Sequence, residues 1–341
     1  MDIQREKYID VAKGIGIILV VLGHVIKLND LHDMDVVYDI IYAFHMPLFF
    51  LISGYCAGMK KSFRDISFVS QAKKVFTRLI VPYLVWSLIY LFLSGGIASA
   101  ERYTAVLTLR GIAPLWFLGT LAMCELVFFL MAKGLEKLGK NRQLIVFAII
   151  AVVSILTGFI MRIIKVNCSL STDNFTMVGY YLYNTFGRLF ISLPSYILGF
   201  ILIRINFVKT IGKVWSLIGS AVLLTTVVTV VISSKLAVNC HLFYTNKYWI
   251  FTLVSLCGAV GVFLLSYSLE SFGKPLVYLG QNSLAIMILH YIPFKTVKYA
   301  GNAVSPIWDN DIFVGLTATL LTILATISAI YLVKKKFFLY K

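Results

Sequence analysis

The sequence predicts an all-α integral membrane protein of about ten transmembrane helices with both termini cytoplasmic. Three observations carry this expectation. The 341 residues are 60% hydrophobic and 13% charged, with mean hydropathy +0.88, whereas a soluble domain is usually about half apolar and about a quarter charged. Apolar runs near 8–27, 36–58, 75–95, 112–132, 143–161, 178–203, 214–234, 248–268, 275–294 and 312–333 each approach the roughly 20 residues needed to cross a ~30 Å hydrocarbon core. Finally, the termini and the segments after the second, fourth, sixth and eighth runs hold 20 of the 31 Lys and Arg, against nine on the other side. Basic residues stay on the cytoplasmic side during insertion, which orients the chain.

Taken in order, the spans differ in what they carry besides lipid-compatible residues. The first, "YIDVAKGIGIILVVLGH", holds Asp10, Lys13 and His24. Eleven residues from Lys13 to His24 make three helical turns, so both project from nearly the same face, about 16 Å apart along the axis. Asp10 joins that face as an i,i+3 partner of Lys13. The second span holds Asp39 and His45, the third Arg78 at its inner end, the fourth Glu125, the sixth Arg188 and the ninth His290. The fifth, seventh, eighth and tenth carry no Asp, Glu, Lys, Arg or His. A charge at the bilayer centre costs about 2.5–3.5 kcal/mol even on the lenient insertion scale, so each of these groups needs a partner, a water-filled cavity or a function.

Plainer uses compete with function at each position. Asp10 and Lys13 also suit a snorkelling ion pair at the interface, Glu125 and Arg188 a buried salt bridge, and His45 or His290 a hydrogen bond between packed helices. His24 is the hardest to explain away, because it shares a face with a cation and a neutral imidazole acts as a base near physiological pH.

The formal charge of +16 would suggest nucleic acid on a soluble domain, but its distribution along the inner loops excludes that partner and leaves the lipid bilayer. Five cysteines show no C-x-x-C or Cys/His metal spacing, so no metal is expected. Cys168 and Cys240 fall on two predicted outward loops, where the compartment permits a disulfide. The loops are short and no linker or low-complexity tract appears, so residues 1–341 are expected to form a single membrane domain with no cleaved signal peptide and no appended soluble domain.

The segments "YIDVAKGIGIILVVLGH", "FHMPLFFLISGY", "RLIVPYLVW", "PLWFLGTLAMCEL", "LPSYILGF" and "LGQNSLAIMILHY" resemble, in order, those of the acyltransferase family 3 membrane proteins. These are O-acyltransferases that modify cell-surface glycans, and the likeness is greatest to the fucose 4-O-acetylase-like branch. The family's hallmark is a basic residue, usually arginine, separated by ten residues from a catalytic histidine; here Lys13 and His24 stand at that spacing. Lysine keeps the charge without arginine's bidentate fork. Where many members carry Arg-x-x-Arg, this chain has Val75 and Arg78, preceded by Lys73 and Lys74.

The resemblance implies transfer of an acyl group, most simply acetyl, from cytosolic acyl-CoA to a hydroxyl of an extracytoplasmic or lipid-linked glycan at the cell membrane, with His24 as general base. His24, Asp10, Glu125 and His45 are expected to serve catalysis, and Lys13, Lys73, Lys74, Arg78, Trp116, Arg188, Asn282 and His290 to bind substrate. Lys60, Lys61 and Arg64 extend the inner basic cluster that would meet the CoA phosphates. No permanently bound cofactor is implied, acetyl-CoA being a substrate, and a homo-oligomer or a glycan-assembly partner is compatible. Two other functions fit the residues: a transporter or exporter of a surface polymer, since intramembrane acids and bases also build proton relays, and a non-catalytic component of a glycan assembly complex.

Overall fold

The computed structural model describes residues 6–60, 62–93, 99–171, 176–293 and 310–338; Lys61, Asp173 and Asp309, singled out above or on predicted outward loops, lie outside them. The protein is all-α, apart from a two-residue antiparallel ladder of β1 (Val238–Asn239) and β2 (Tyr244–Thr245). Helices α1 (Lys7–Leu28), α2 (Asp35–Gly58), α3 (Phe68–Val75), α4 (Val81–Leu93), α5 (Ala100–Leu107), α6 (Trp116–Leu135), α7 (Lys140–Asn167) and α8 (Met177–Arg204) are followed by α9 (Phe207–Ile211), α10 (Lys213–Ser234), α11 (Tyr248–Ser268), α12 (Lys274–Gln281), α13 (Ser283–Leu289) and α14 (Asp311–Phe338). Among the described residues nine helices are long and apolar enough to cross a membrane, with α3 and α4 counting as one through the π-helical turn Phe76–Ile80.

The ninth expected span, 275–294, differs from its prediction. It is broken at Asn282 into α12 and α13, and an eight-residue helix reaches only about 12 Å. Gly280, Asn282 and Ser283 are weak helix formers, and Asn282 ends α12 by turning on itself. Its side-chain amide donates to the Tyr278 carbonyl at 2.9 Å, and its backbone N–H donates to Tyr278 and Leu279 at 3.3 and 3.1 Å. Asparagine competes with the helix ladder in this way. Elsewhere polar side chains close helix ends: Ser67 Oγ accepts from the Ser70 N–H, Thr176 Oγ1 from the Gly179 N–H, and the Asn29 amide donates to the Val25 carbonyl at the end of α1.

The chain divides into two compact units, each assembled from separated segments. The first comprises Met1–Met46, Gly212–Leu236 and Cys257–Lys341, and the second Pro47–Ile211 and Ala237–Leu256. In the first, α12 lies backbone-to-backbone on α1. A Cβ on Gly14 would overlap the Leu276 carbonyl, and one on Gly280 the Asp10 carbonyl, so both positions require glycine. Tyr8 is fully buried between Phe263 and Tyr267, with ring centroids 5.8 and 5.3 Å away. The Asp33 N–H donates to the Asp311 carboxylate at 3.0 Å, tying the loop after α1 to α14.

The second unit is built on a nucleus of aromatic rings. Phe128, Phe147 and Phe200, from α6, α7 and α8, meet at centroid distances of 4.9 to 5.1 Å, within the range of favourable ring pairing. Pro194 removes an N–H from the interior of α8 and frees the Phe190 carbonyl; the Ser154 hydroxyl of α7 donates to it at 2.9 Å. Leucine, isoleucine and valine project outward along most of α7 and α10, the surface a lipid-facing helix presents.

Candidate active site

In the first unit the helix break at Asn282 brings α13 to the outer part of α1, and a cluster of histidine and tyrosine rings forms there. His24 is half-buried. Its ring centroid lies 5.2 Å from His290 at 36°, 5.2 Å from Tyr291 edge-on, and 6.4 Å from Tyr42 edge-on. Tyr42 stacks on Tyr38 at 3.9 Å and lies 4.8 Å from His45, so α2 lines the cluster with a row at i, i+4 and i+7. Gly23 admits Tyr42, because a Cβ there would come within 2.8 Å of the ring.

Two of the three histidines have fixed orientations. His45 Nδ1 bonds the Ile41 carbonyl at 2.7 Å and His290 Nδ1 bonds the Ile286 carbonyl at 3.0 Å. A carbonyl only accepts, so each Nδ1 carries the proton and each Nε2 is left with a lone pair. His290 Nε2 is buried and finds no hydrogen-bond partner among the described residues. Such an orphaned acceptor costs about 1–3 kcal/mol, and buried unsatisfied atoms in native structures gather where a substrate or water completes them.

Of the remaining predicted residues in this unit, Asp10 is buried at 2% exposure. Lys13 is half-buried, and no ion pair joins it to Asp10 among the described residues. The i,i+3 pair expected from spacing is therefore absent. Asp10 has interactions of its own. Asn282 is occupied with breaking the helix, as described above.

In the second unit, Glu125 does not pair with Arg188, which corrects the buried salt bridge weighed between them. The Arg78 guanidinium bonds the Glu125 carboxylate directly. Arg78 stands on the π-helical turn, an irregularity found mostly at functional sites. Around it lie further cations: Lys73 and Lys74 are exposed, and Lys60 donates to the Gln71 side chain at 3.2 Å. Burial, then the neighbouring Lys74 charge, pull the Lys60 ammonium below the usual lysine range. Arg204 donates to the Lys60 carbonyl and Lys133 to the Ile66 carbonyl, which fixes the turn carrying this basic set.

Arg188 lies toward the opposite end of α8. It is fully buried and donates to the carbonyls of Arg110 and Leu109 and to the Thr185 hydroxyl at 2.7 to 3.0 Å. Trp116 is buried with it, 5.5 Å beneath the guanidinium and stacked 6.0 Å from His241. Burial, then the charges of Arg188 and Arg110, push the His241 imidazole down to about 3, so it is neutral. Cys168 is exposed and Cys240 buried, and the disulfide allowed by the sequence does not join them; burial pushes the Cys240 thiol up to about 12.

The sequence profile of the family described as "Acyltransferase domain" matches residues 6–334. The chain belongs to this acyltransferase family. It is also 39% identical over 87 residues to nodulation protein NolL of Sinorhizobium fredii (strain NBRC 101917 / NGR234), covering 24% of this chain and 23% of that protein. A second nodulation protein NolL, from Mesorhizobium japonicum, is 32% identical over 126 residues, or 33% of this chain and 32% of that protein. The similarity thus spans about a quarter to a third of these curated relatives.

Sequence reasoning missed Tyr38, Tyr42, Tyr291 and His241. The tyrosines had a readable signal, since Tyr38, Tyr42 and His45 repeat at helical spacing from the outer end of the second span. His241 had none, because it lies in a loop whose partners come from other helices.

Proposed function

We propose that this family member is a multi-pass O-acyltransferase of the cell membrane. It moves an acyl group, acetyl in the simplest case, from cytosolic acyl-CoA to a hydroxyl of an extracytoplasmic or lipid-linked glycan. The observation that carries the proposal is His24: a half-buried histidine held among His290, Tyr42 and Tyr291, on the helix that bears Lys13 at the family's spacing.

In this reaction neutral His24 takes the proton of the acceptor hydroxyl as the oxygen attacks the thioester carbonyl. The C–O bond forms, the C–S bond breaks, and the proton passes from His24 to the CoA thiolate. While His24 is doubly protonated its second N–H needs an acceptor, and the His290 Nε2 lone pair supplies one. Lys73, Lys74 and Arg78 attract the phosphates of CoA, and Lys13 places a positive charge on the helix of His24. Glu125 works through Arg78, which makes it a positioning residue rather than a second base, and His45 orients Tyr42.

The test is to supply purified protein in vesicles with labelled acetyl-CoA and a panel of glycans. Label should move to a glycan with wild type and not with His24→Ala. A transporter would leave acetyl-CoA unconsumed in both.

A further inference from the structure

The end of the second unit away from Lys60 gathers four cations and, among the described residues, one carboxylate. Arg162 and Lys165 end α7, Arg110 lies in the turn before α6, and Arg188 reaches them from α8. The hydrogen bonds of Arg162, Lys165 and Arg188 go to neutral groups. Arg162 donates to the Thr245 carbonyl at 3.1 and 3.2 Å, Lys165 to the Asn184 side chain and the Leu242 carbonyl at 2.5 Å each, and Arg188 to the carbonyls already named. A carbonyl solvates a cation without neutralising it. Glu101, the one acid there among the described residues, stands 3.8 Å from Arg110 and accepts from the Tyr181 hydroxyl at 2.7 Å. Among the described residues, four cations against one carboxylate leave an excess of positive charge on the side of the membrane where topology disfavours basic residues.

The setting is aromatic. Arg110 lies 4.1 Å over Tyr181 and Arg162 lies 5.1 Å over Tyr244, itself 44% exposed. Two buried nitrogens, Arg188 Nε and His241 Nε2, have no hydrogen-bond partner among the described residues. Guanidinium and ammonium groups in excess of the acid beside them, next to the exposed Tyr244 ring, are the chemistry that recognises an acidic saccharide: the cations take its oxyanion and the ring edge takes its apolar face.

We propose that this cluster binds the oxyanion, carboxylate or phosphate, of a saccharide. Within the acyltransferase reading, on which only this consequence rests, the acceptor is an acidic glycan. The experiment measures binding, not turnover, so it stands apart from the role of His24. Protein in nanodiscs of zwitterionic lipid is titrated by calorimetry with trigalacturonate, with neutral maltotriose and with glucose 6-phosphate. Trigalacturonate or glucose 6-phosphate should bind at least about tenfold tighter than maltotriose, and whichever does so names the oxyanion. The advantage should fall severalfold as salt rises from about 0.05 to about 0.3 M. Arg110→Gln, which keeps the backbone carbonyl that Arg188 holds, should weaken the charged ligand about fivefold or more and leave acetyl-CoA binding unchanged. Equal affinity for charged and neutral saccharides, no measurable binding of either charged one, or an Arg110→Gln protein that binds like wild type would overturn the proposal.

Discussion

His24 and His290 face each other with different freedoms, and the difference sets their expected phenotypes. His24→Ala removes the proposed base, which should lower turnover about 10²–10⁴-fold without loss of membrane insertion; near-normal turnover would remove the mechanism. At His290 a phenylalanine keeps the packing but deletes the Nε2 acceptor, whereas a glutamine retains an acceptor oxygen. Steady-state kinetics should show kcat lowered at least about tenfold in His290→Phe with little change in KM, and partly restored in His290→Gln. Equal losses in both would mean that His290 only packs. Lys13→Arg should retain activity and Lys13→Ala should lose most of it. The sequence made Lys13 and His24 legible because helical periodicity alone places them on one face. It could not reveal that Asp10 and Lys13 do not pair with each other among the described residues or that Glu125 chooses Arg78 over Arg188, since partner choice depends on which helices pack together.

At the scale of elements, the break between α12 and α13 is what puts His290 beside His24, and glycine makes it possible. Gly280→Ala would set a methyl against the Asp10 carbonyl, which is backbone and cannot swing aside. Overpacking of this kind costs about 1–3 kcal/mol, and by displacing α12 it should also disturb His290. Thermal unfolding in detergent should therefore show a lowered midpoint together with lost activity. Gly134→Ala, inside α6 with nothing within 4 Å of the added Cβ, is the matched control. It should be neutral or stabilise by up to about 1 kcal/mol, because alanine is the better helix former. If both variants behave alike, the close approach of α1 and α12 does not constrain the fold. Hydropathy located this region but read it as one span. A window average sees apolar content and is blind to a single asparagine that redirects two hydrogen bonds.

For the whole molecule, the cations divide by side, and that division predicts both topology and donor binding. The inward excess of Lys and Arg orients the chain, so a cysteine placed at Asp33 should react with a membrane-impermeant thiol reagent on intact cells, and one at Lys137 should not. The reverse pattern would place Lys73, Lys74 and Arg78 outside, away from cytosolic acyl-CoA. If those three residues hold the CoA phosphates, their attraction is shared by ground state and transition state, so neutralising them should raise KM for acetyl-CoA and spare kcat. Lys73 and Lys74 are exposed and the Arg78 side chain is 45% exposed, so salt should weaken donor binding in the wild-type protein as well. His24→Ala should do the opposite, leaving acetyl-CoA affinity nearly unchanged while turnover collapses. The decisive measurement is acetyl-CoA binding to the purified Lys73→Ala/Lys74→Ala/Arg78→Ala protein. Affinity equal to wild type would mean that these residues only orient the chain in the membrane and that the donor is held elsewhere.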